Sequence, residues 1–249
     1  MTAAPPPPVD GTTDTTDGRT PVRRALVLGA NGPTGRLVVR QALDRGLEVV
    51  ALTRHPEAFP MQRDRVAVVG GDATDPATMD RAVRGCDAVV SAIGTAYTWQ
   101  PVQVYSVSAR LAVTAMRRHG VRRLVVTTSM GVPRRPDHGG PLQRTAMLLL
   151  RRTFARTLYD DMLEMERIVS LSALDWTIVR PPGLSDAPGT GYAAAEARID
   201  EQGMARQDLA AALLDQLVDP RWIGRTVGVA TPGLRLDPVQ MLRREVLKR

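Results

Sequence analysis

The sequence predicts a single-domain α/β fold built around a doubly wound parallel sheet of about seven strands. Short valine-rich runs alternate with amphipathic stretches, which is typical of βαβ units whose sheet is buried on both faces. A glycine-rich turn directly follows the first apolar run. The 249 residues, 43% of them hydrophobic, are enough for one such domain with a well-buried core.

Seven short runs rich in β-branched residues are the predicted strands. They are Ala25–Leu28, Glu48–Thr53, Val66–Val69, Ala88–Ala92, Arg123–Thr128, Trp176–Arg180 and Thr226–Val229. The predicted helices are Thr34–Arg45, Pro76–Arg84, Val102–His119, an interrupted stretch over Leu142–Leu171, Gln207–Val218 and a final helix over Pro238–Leu247. Asp75 before Pro76 is typical of a helix start, and Gly46, Gly85 and Gly120 each follow a predicted helix end.

The first 21 residues differ in composition from the rest of the chain. They contain a proline run, Pro5–Pro8, followed by Gly, Thr and Asp, with Val9 almost their only sizeable apolar side chain. Such a segment cannot bury enough surface to offset its ordering entropy, so we expect a disordered tail over 1–21 and a folded domain over 22–249. The tail has neither the pattern of a secretory signal nor that of a mitochondrial transit peptide.

Composition also bounds the location and the partners. The single cysteine, Cys86, excludes an internal disulfide and a thiolate metal cluster, so we expect a buried thiol in a cytoplasmic protein with no metal site. No apolar run has the length of a transmembrane helix, so no membrane partner is expected.

The formal charge of +7 does not indicate a nucleic-acid partner. The arginines are spread in pairs over helix ends and loops, and only 4% of the residues are aromatic. We expect a small-molecule substrate instead. The apolar stripe of Val102–His119 suits the sheet of a monomer and a homodimer interface equally well, so both states stay open.

The glycine turn is the most informative feature of the chain. It reads Gly29-Ala-Asn31-Gly32-Pro33-Thr34-Gly35-Arg36, between an apolar strand and a predicted helix. Gly29 permits a tight turn, Gly32 lets a pyrophosphate approach the backbone, and Gly35 lets the helix pack closely on the sheet. Free amides at the helix start would face the anion, so the turn predicts a dinucleotide site.

The residues after the second strand indicate which dinucleotide is bound. An acid about 20 residues past the glycine turn binds the ribose hydroxyls of NAD, whereas an arginine accommodates the 2′-phosphate of NADP. The second strand here ends in Thr53-Arg54-His55, and Arg36 follows Gly35. The sequence therefore favours NADP(H) over NAD(H).

Several motifs together resemble one protein family. The Gly-x-x-Gly-x-x-Gly turn is similar to the fingerprint of atypical short-chain dehydrogenases. The carboxyl half adds Tyr159-Asp-Asp161, Trp176-Thr-Ile-Val-Arg180-Pro-Pro182, Gly189-Thr-Gly191-Tyr192 and Arg206-Gln-Asp208-Leu-Ala. From Arg23 to Pro232 the chain resembles the branch that includes biliverdin-IXβ and flavin reductases and NmrA-like proteins.

The resemblance implies further cofactor-binding residues. Asp72 and Ala73 would lie beside the adenine, and Ala92, Ile93 and Gly94 would let the cofactor cross the sheet edge. The nicotinamide end would be met by Thr128, Ser129, Pro182, Gly183 and Leu184.

The candidate catalytic residues are Ser129, Tyr159 and His138. Typical short-chain dehydrogenases pair a tyrosine with a lysine four residues later, whose ammonium lowers the tyrosine pKa. Here that position is Leu163, and the one lysine is Lys248. Gly183 stands where some reductases of the branch carry a histidine. Glu164 and Glu166 are expected to face solvent or to pair with neighbouring arginines.

Three functions remain open from the sequence. The first is an NADPH-dependent oxidoreductase that reduces a flavin, a quinone or a related conjugated molecule. The second is a non-catalytic NADP(H)-binding redox sensor, and the third is a reductase or epimerase of secondary metabolism.

The proline- and glycine-rich stretch Gly131–Gly140 follows the end of the predicted strand Arg123–Thr128. It is either a substrate lid or a surface loop.

Overall fold

The computed structural model describes residues 21–61, 64–95, 98, 100–132 and 156–236. The strands of this part are β1 (Arg24–Leu28), β2 (Glu48–Thr53), β3 (Val66–Gly70), β4 (Ala88–Ser91), β5 (Arg123–Thr127), β6 (Asp175–Arg180), β7 (Gly183–Ser185), β8 (Ala193–Glu196), β9 (Gly203–Ala205) and β10 (Arg225–Ala230). Its α-helices are α1 (Pro33–Asp44), α2 (Pro76–Val83), α3 (Val104–His119), α4 (Arg156–Ser170) and α5 (Arg206–Val218).

The main sheet has eight strands in the order β3-β2-β1-β4-β5-β6-β10-β8. All neighbours are parallel except β8, which lies antiparallel to β10 at one edge. The predicted doubly wound sheet is therefore confirmed, with all seven predicted strands in it and β8 as an addition. Strands β7 and β9 form a separate parallel pair.

Alternating side chains of each strand supply two cores, one on each face of the sheet. In β1, Leu26 and Leu28 pack with residues of α2, α3 and α4, such as Met116 and Met165. Ala25 and Val27 pack on the other face with residues of α1 and α5. Near-continuous apolar strands are what a parallel sheet covered on both faces requires.

Local signals set several element ends as predicted. The carboxylate of Asp75 accepts a hydrogen bond from the Thr78 amide at 2.8 Å and caps α2.

Cys86 is buried, as predicted, and its burial raises the thiol pKa to about 11. Within the described part of the chain, no helix combines the length and the apolarity that crossing a bilayer needs.

Several predicted features lie outside the described residues. They are the tail apart from residue 21, most of the Gly131–Gly140 stretch with His138, the first part of the predicted Leu142–Leu171 stretch, and the Pro238–Leu247 helix.

Candidate functional site

The turn after β1 is built on close backbone contacts. Gly29 has a φ of +73°, and a Cβ built on it would lie 2.9 Å from the carbonyl oxygen of Ala92. A Cβ on Gly35 would lie 2.1 Å from the carbonyl oxygen of Gly29. Larger residues are excluded at both positions, so the helix start, the turn and the end of β4 lie directly against one another.

The start of α1 is open to an anion. Gly32 is the N-cap residue in an extended conformation, Pro33 occupies the first turn, and no described side chain caps the helix. The first turn carries no acidic residue. Amides of this turn are therefore available, and the helix dipole favours a negative group in front of them.

Two arginines flank this open helix start. The Arg36 guanidinium donates to the side-chain oxygen of Asn31 at 2.7 and 3.0 Å and to its carbonyl oxygen at 3.0 Å. Arg54 is exposed directly after β2. No carboxylate follows β2 before Glu57, so the side chain at the strand end is cationic.

The end of β3 is joined to the end of β2. The Gly71 amide donates to the Thr53 carbonyl oxygen at 3.0 Å, which brings Asp72 to the same edge of the sheet as Arg54. The backbone amide and the hydroxyl of Thr74 each donate to Asp72 at 2.8 Å. These hydrogen bonds lower the pKa of Asp72, and the positive charge of Arg54 lowers it further.

The end of β4 leaves free space at the sheet edge. The Ala92 amide donates to the Leu28 carbonyl oxygen at 3.0 Å, so the chain keeps the strand direction past Ser91. A Cβ built on Gly94 would meet nothing within 4 Å. Ala92, Ile93 and Gly94 thus lie at the same sheet edge as the glycine turn, with Ala92 and Ile93 directly beside Gly29.

Backbone hydrogen bonds continue beyond β5 and β6. The Met130 amide donates to the Pro181 carbonyl oxygen at 2.9 Å. The Ser129 hydroxyl oxygen accepts the Gly131 amide at 3.1 Å, so it stabilises the turn after the strand. Pro182, Gly183 and Leu184 follow, each partly exposed, with Leu184 packed against the α1 and α5 core.

Of the two alternatives predicted for Glu166, exposure to solvent is wrong and pairing with an arginine is confirmed. Its side chain does not face solvent, because only 8% of it is exposed. It forms an ion pair with Arg180, and Thr128 donates to its Oε1 at 2.8 Å. Glu166 follows Met162 by four residues and precedes Val169 by three, so the helical period placed it on the buried stripe. Glu164, as predicted, pairs with an arginine, Arg167, at 2.8 Å.

Tyr159 lies inside the protein, on the buried face of α4. It is 7% exposed, and a Cβ on Gly131 would lie 2.7 Å from its hydroxyl oxygen. Leu163, one turn later, packs against the core and carries no charge. The tyrosine thus stands beside the turn after β5 without the ammonium of a Tyr-x-x-x-Lys pair.

Two carboxylates named above only as parts of motifs, Asp161 and Asp208, are buried and make contacts that the sequence did not predict. Asp161 accepts the amides of Tyr105 at 2.9 Å and Ser106 at 3.2 Å, so α4 caps the start of α3. Asp208 accepts amides of the 190–191 loop and the Thr231 hydroxyl at 2.6 Å. No local signal identifies either contact, because the partners lie 17 or more residues away.

A groove of about 610 Å³ runs along the outer side of α1. It shares Pro33 and Arg36 with the open helix start and also contains Arg40, Met61 and Arg206. Arg206 is paired with Asp186 at 2.7 Å. Among the described residues, no group of three or more His, Cys, Asp or Glu side chains could hold a metal ion.

A model of the NAD(P)H-binding family matches residues 29–220, which run from the first glycine of the turn to the end of α5 and beyond. The chain belongs to this NAD(P)H-binding family. That membership agrees with the predicted resemblance to atypical short-chain dehydrogenases, and it confirms NAD(P)H as the cofactor class.

Two curated relatives are similar to this NAD(P)H-binding protein over part of their own length. The uncharacterized chloroplastic protein At2g34460 of Arabidopsis thaliana is 30% identical over 177 residues, which are 68% of this chain and 62% of the relative. The (4-alkanoyl-5-oxo-2,5-dihydrofuran-3-yl)methyl phosphate reductase of Streptomyces griseus is 34% identical over 169 residues, 66% of this chain and 51% of that reductase. The chain thus spans between half and two thirds of the length of these relatives.

A solved structure shares the fold over most of both chains. It is a short-chain dehydrogenase/reductase (wide type) from Veillonella parvula in complex with NADP. The TM-score is 0.71 at 19% identity, covering 85% of this chain and 96% of that one. At this identity the likeness shows the fold.

Proposed function

We propose that this protein is an NADPH-dependent oxidoreductase that reduces a flavin, a quinone or a related conjugated small molecule by hydride transfer. The observation that carries the proposal is the pairing of an uncapped α1, behind the three-glycine turn, with Arg54 at the end of β2. A pyrophosphate and a 2′-phosphate find partners there, whereas the ribose hydroxyls of NAD find no carboxylate at β2.

Different residues of the sheet edge would bind different parts of the dinucleotide. The amides at the start of α1 would hold the pyrophosphate, with Arg36 and Arg54 at the 2′-phosphate and Asp72 and Ala73 near the adenine. Residues 92–94 leave the space at which the cofactor crosses the edge. The backbone of 128–129 and the 182–184 segment would enclose the nicotinamide. When bound, the reduced cofactor supplies the hydride.

The substrate class follows from the proton donors that the site provides. Leu163 replaces the lysine that would lower a tyrosine pKa, and Tyr159 is buried. Ser129 accepts the Gly131 amide and keeps its own O–H for a substrate carbonyl. A conjugated acceptor that takes its proton from water suits this site. The similarity to the Streptomyces griseus reductase supports a reductase activity for this protein.

A non-catalytic NADP(H) sensor is the second candidate. The observation that favours it is the burial of Tyr159, whose hydroxyl lies against the Gly131 backbone. A sensor would bind oxidised and reduced cofactor and transmit the difference to a protein partner. We propose a cytoplasmic location for either function, since the single cysteine, Cys86, allows no internal disulfide.

Steady-state oxidation of NADPH, followed at 340 nm with FMN, FAD and a set of soluble quinones, tests the proposal. Turnover by the wild-type protein that falls in Arg54→Ala supports the oxidoreductase. Tight binding of both cofactor forms with no turnover on any acceptor favours the sensor. The matched control is Arg23→Ala, an exposed arginine just before β1, at the opposite end of the strand from the glycine turn.

A further inference from the structure

One buried carboxylate joins three elements of the core just below the sheet edge. Glu166 of α4 receives two hydrogen bonds from Arg180, Nε to Oε1 at 2.9 Å and Nη2 to Oε2 at 2.5 Å. Thr128, next to β5, donates the third hydrogen bond, to Oε1 at 2.8 Å. The side chains of Glu166 and Arg180 are 8% and 16% exposed.

The three partners stand at a specific place in the fold. Arg180 is the last residue of β6 and is followed by Pro181 and Pro182, whose rings fix their backbone φ angles. The Thr128 amide donates to the Val179 carbonyl oxygen, and the Met130 amide donates to that of Pro181, both at 2.9 Å. The position of Arg180 therefore determines where the 128–130 and 181–184 segments lie, because backbone hydrogen bonds join them.

A buried ion pair is seldom retained for stability alone. Desolvation of both charges offsets most of their attraction, and apolar residues of similar size often stabilise a core equally well. What a bidentate guanidinium–carboxylate pair adds is a fixed geometry. Here that geometry is fixed at Thr128 itself and two residues before the 182–184 segment, both of which would meet the nicotinamide.

We propose that the Glu166–Arg180 pair, with Thr128, is the positioning element that sets the nicotinamide half of the site. The inference rests on the proposed function, because it requires a dinucleotide in this cleft. Neither charged side chain acts on the substrate itself. The pair holds the two strand ends in register, so that residues 129 and 182–184 form one wall.

The experiment compares two ligands that differ only at the nicotinamide. Dissociation constants of the full-length protein are measured by calorimetry for NADPH and for 2′-phospho-ADP-ribose, which lacks that ring. We expect Glu166→Gln to weaken NADPH about tenfold or more and to leave 2′-phospho-ADP-ribose within about twofold. The fluorescence of bound NADPH, which reports on the reduced ring, should shift toward its value in water.

A second variant keeps the test valid where loss of one charge impairs folding. Glu166→Met with Arg180→Met removes both charges and fills the space with apolar side chains, and it should show the same selective loss. Glu164→Gln is the control, because this glutamate lies on the same helix and pairs at the surface. It should bind both ligands as the wild-type protein does.

The outcomes separate this inference from the proposed function. Equal loss of both ligands, or loss of neither, in Glu166→Gln and in the double variant overturns the positioning role. Equal affinity of the wild-type protein for both ligands overturns it as well, because the nicotinamide is then not held. Wild-type protein that binds neither ligand contradicts the proposed dinucleotide site itself.

Discussion

The carbonyl oxygen of Gly29 lies 2.1 Å from the place that a Cβ on Gly35 would occupy. The turn after β1 and the first turn of α1 are therefore in direct backbone contact. Because Gly29 also lies against Ala92 and Ile93, a single side chain added at residue 35 would displace the helix, the turn or both. The glycines of this turn are therefore needed for packing, in addition to the space that they leave for a phosphate group.

The first prediction concerns this contact. We expect Gly35→Ala to lower the free energy of unfolding by about 1–3 kcal/mol, since the obstruction is backbone and cannot rotate away. Its NADPH affinity should fall in parallel because the start of α1 moves. Urea denaturation and calorimetric titration measure the two effects.

Gly94→Ala is the matched control for that substitution. A Cβ at residue 94 meets nothing within 4 Å, so the free energy of unfolding should stay within about 0.5 kcal/mol of the wild type. NADPH binding should still weaken, because the added methyl group enters the proposed path of the cofactor. Unchanged stability of Gly35→Ala would show that the helix is not held against the turn.

The second prediction concerns Asp208 at the start of α5. Its carboxylate accepts the amides of Thr190 at 3.2 Å and Gly191 at 3.1 Å and the Thr231 hydroxyl at 2.6 Å. Asn cannot accept at all of these positions, so Asp208→Asn should lower the free energy of unfolding by about 1–3 kcal/mol. Urea denaturation checks this value.

A double-mutant cycle isolates the Asp208 hydroxyl contact. Asp208→Asn and Thr231→Val should be non-additive, because each removes the same hydrogen bond. Asp200→Asn is the control, since that carboxylate is exposed and pairs with Arg198 at the surface. Strict additivity would mean that the two side chains do not share a bond in solution.

The third prediction is a pH dependence at the start of α2. Hydrogen bonding by Thr78 lowers the pKa of Asp75 in the folded protein. A lowered folded pKa stabilises the protein above the unfolded pKa, about 3.9, and this contribution is lost as the pH falls through the folded value. Asp75→Ala should therefore have a lower Tm than the wild type at pH 7, and the difference should shrink below about pH 4.

Asp75→Asn distinguishes capping from charge in that experiment. An asparagine also caps helices, so this variant should stay close to the wild-type Tm at pH 7. A Tm difference between Asp75→Ala and the wild type that is as large at pH 2.5 as at pH 7 would show that the carboxylate does not act as the cap.

Regular apolar patterns made the sheet and its helices predictable. Strands such as Glu48–Thr53 are recognisable by a nearly continuous run of apolar side chains, which a sheet covered on both faces requires. Helix starts such as Asp75-Pro76 follow from local hydrogen bonding. The five predicted helices that fall at least partly in described parts of the chain begin or end within about two residues of the prediction, a difference that is usual for helix ends.

Other elements depend on contacts that no local pattern encodes. β8 reads Ala-Ala-Ala-Glu, a composition that favours helix, and it is a strand because β10 pairs with it. β7 and β9 have three residues each, and they pair with one another although 17 residues separate them along the chain. An arginine partner was predicted for Glu166, but its burial was not, although Glu166 lies on the buried stripe of α4.

The most direct test is calorimetric titration of the full-length protein with NADPH and with NADH, followed by the Arg54→Ala variant and the Arg23→Ala control. We expect the wild type to prefer NADPH. Arg54→Ala should lose about 10- to 100-fold in NADPH affinity, which corresponds to the loss of one charged hydrogen bond, with NADH affinity unchanged. Arg23→Ala should behave as the wild type. Equal binding of the two cofactors would contradict the 2′-phosphate site at Arg54, and failure to bind either would contradict the dinucleotide site at the glycine turn.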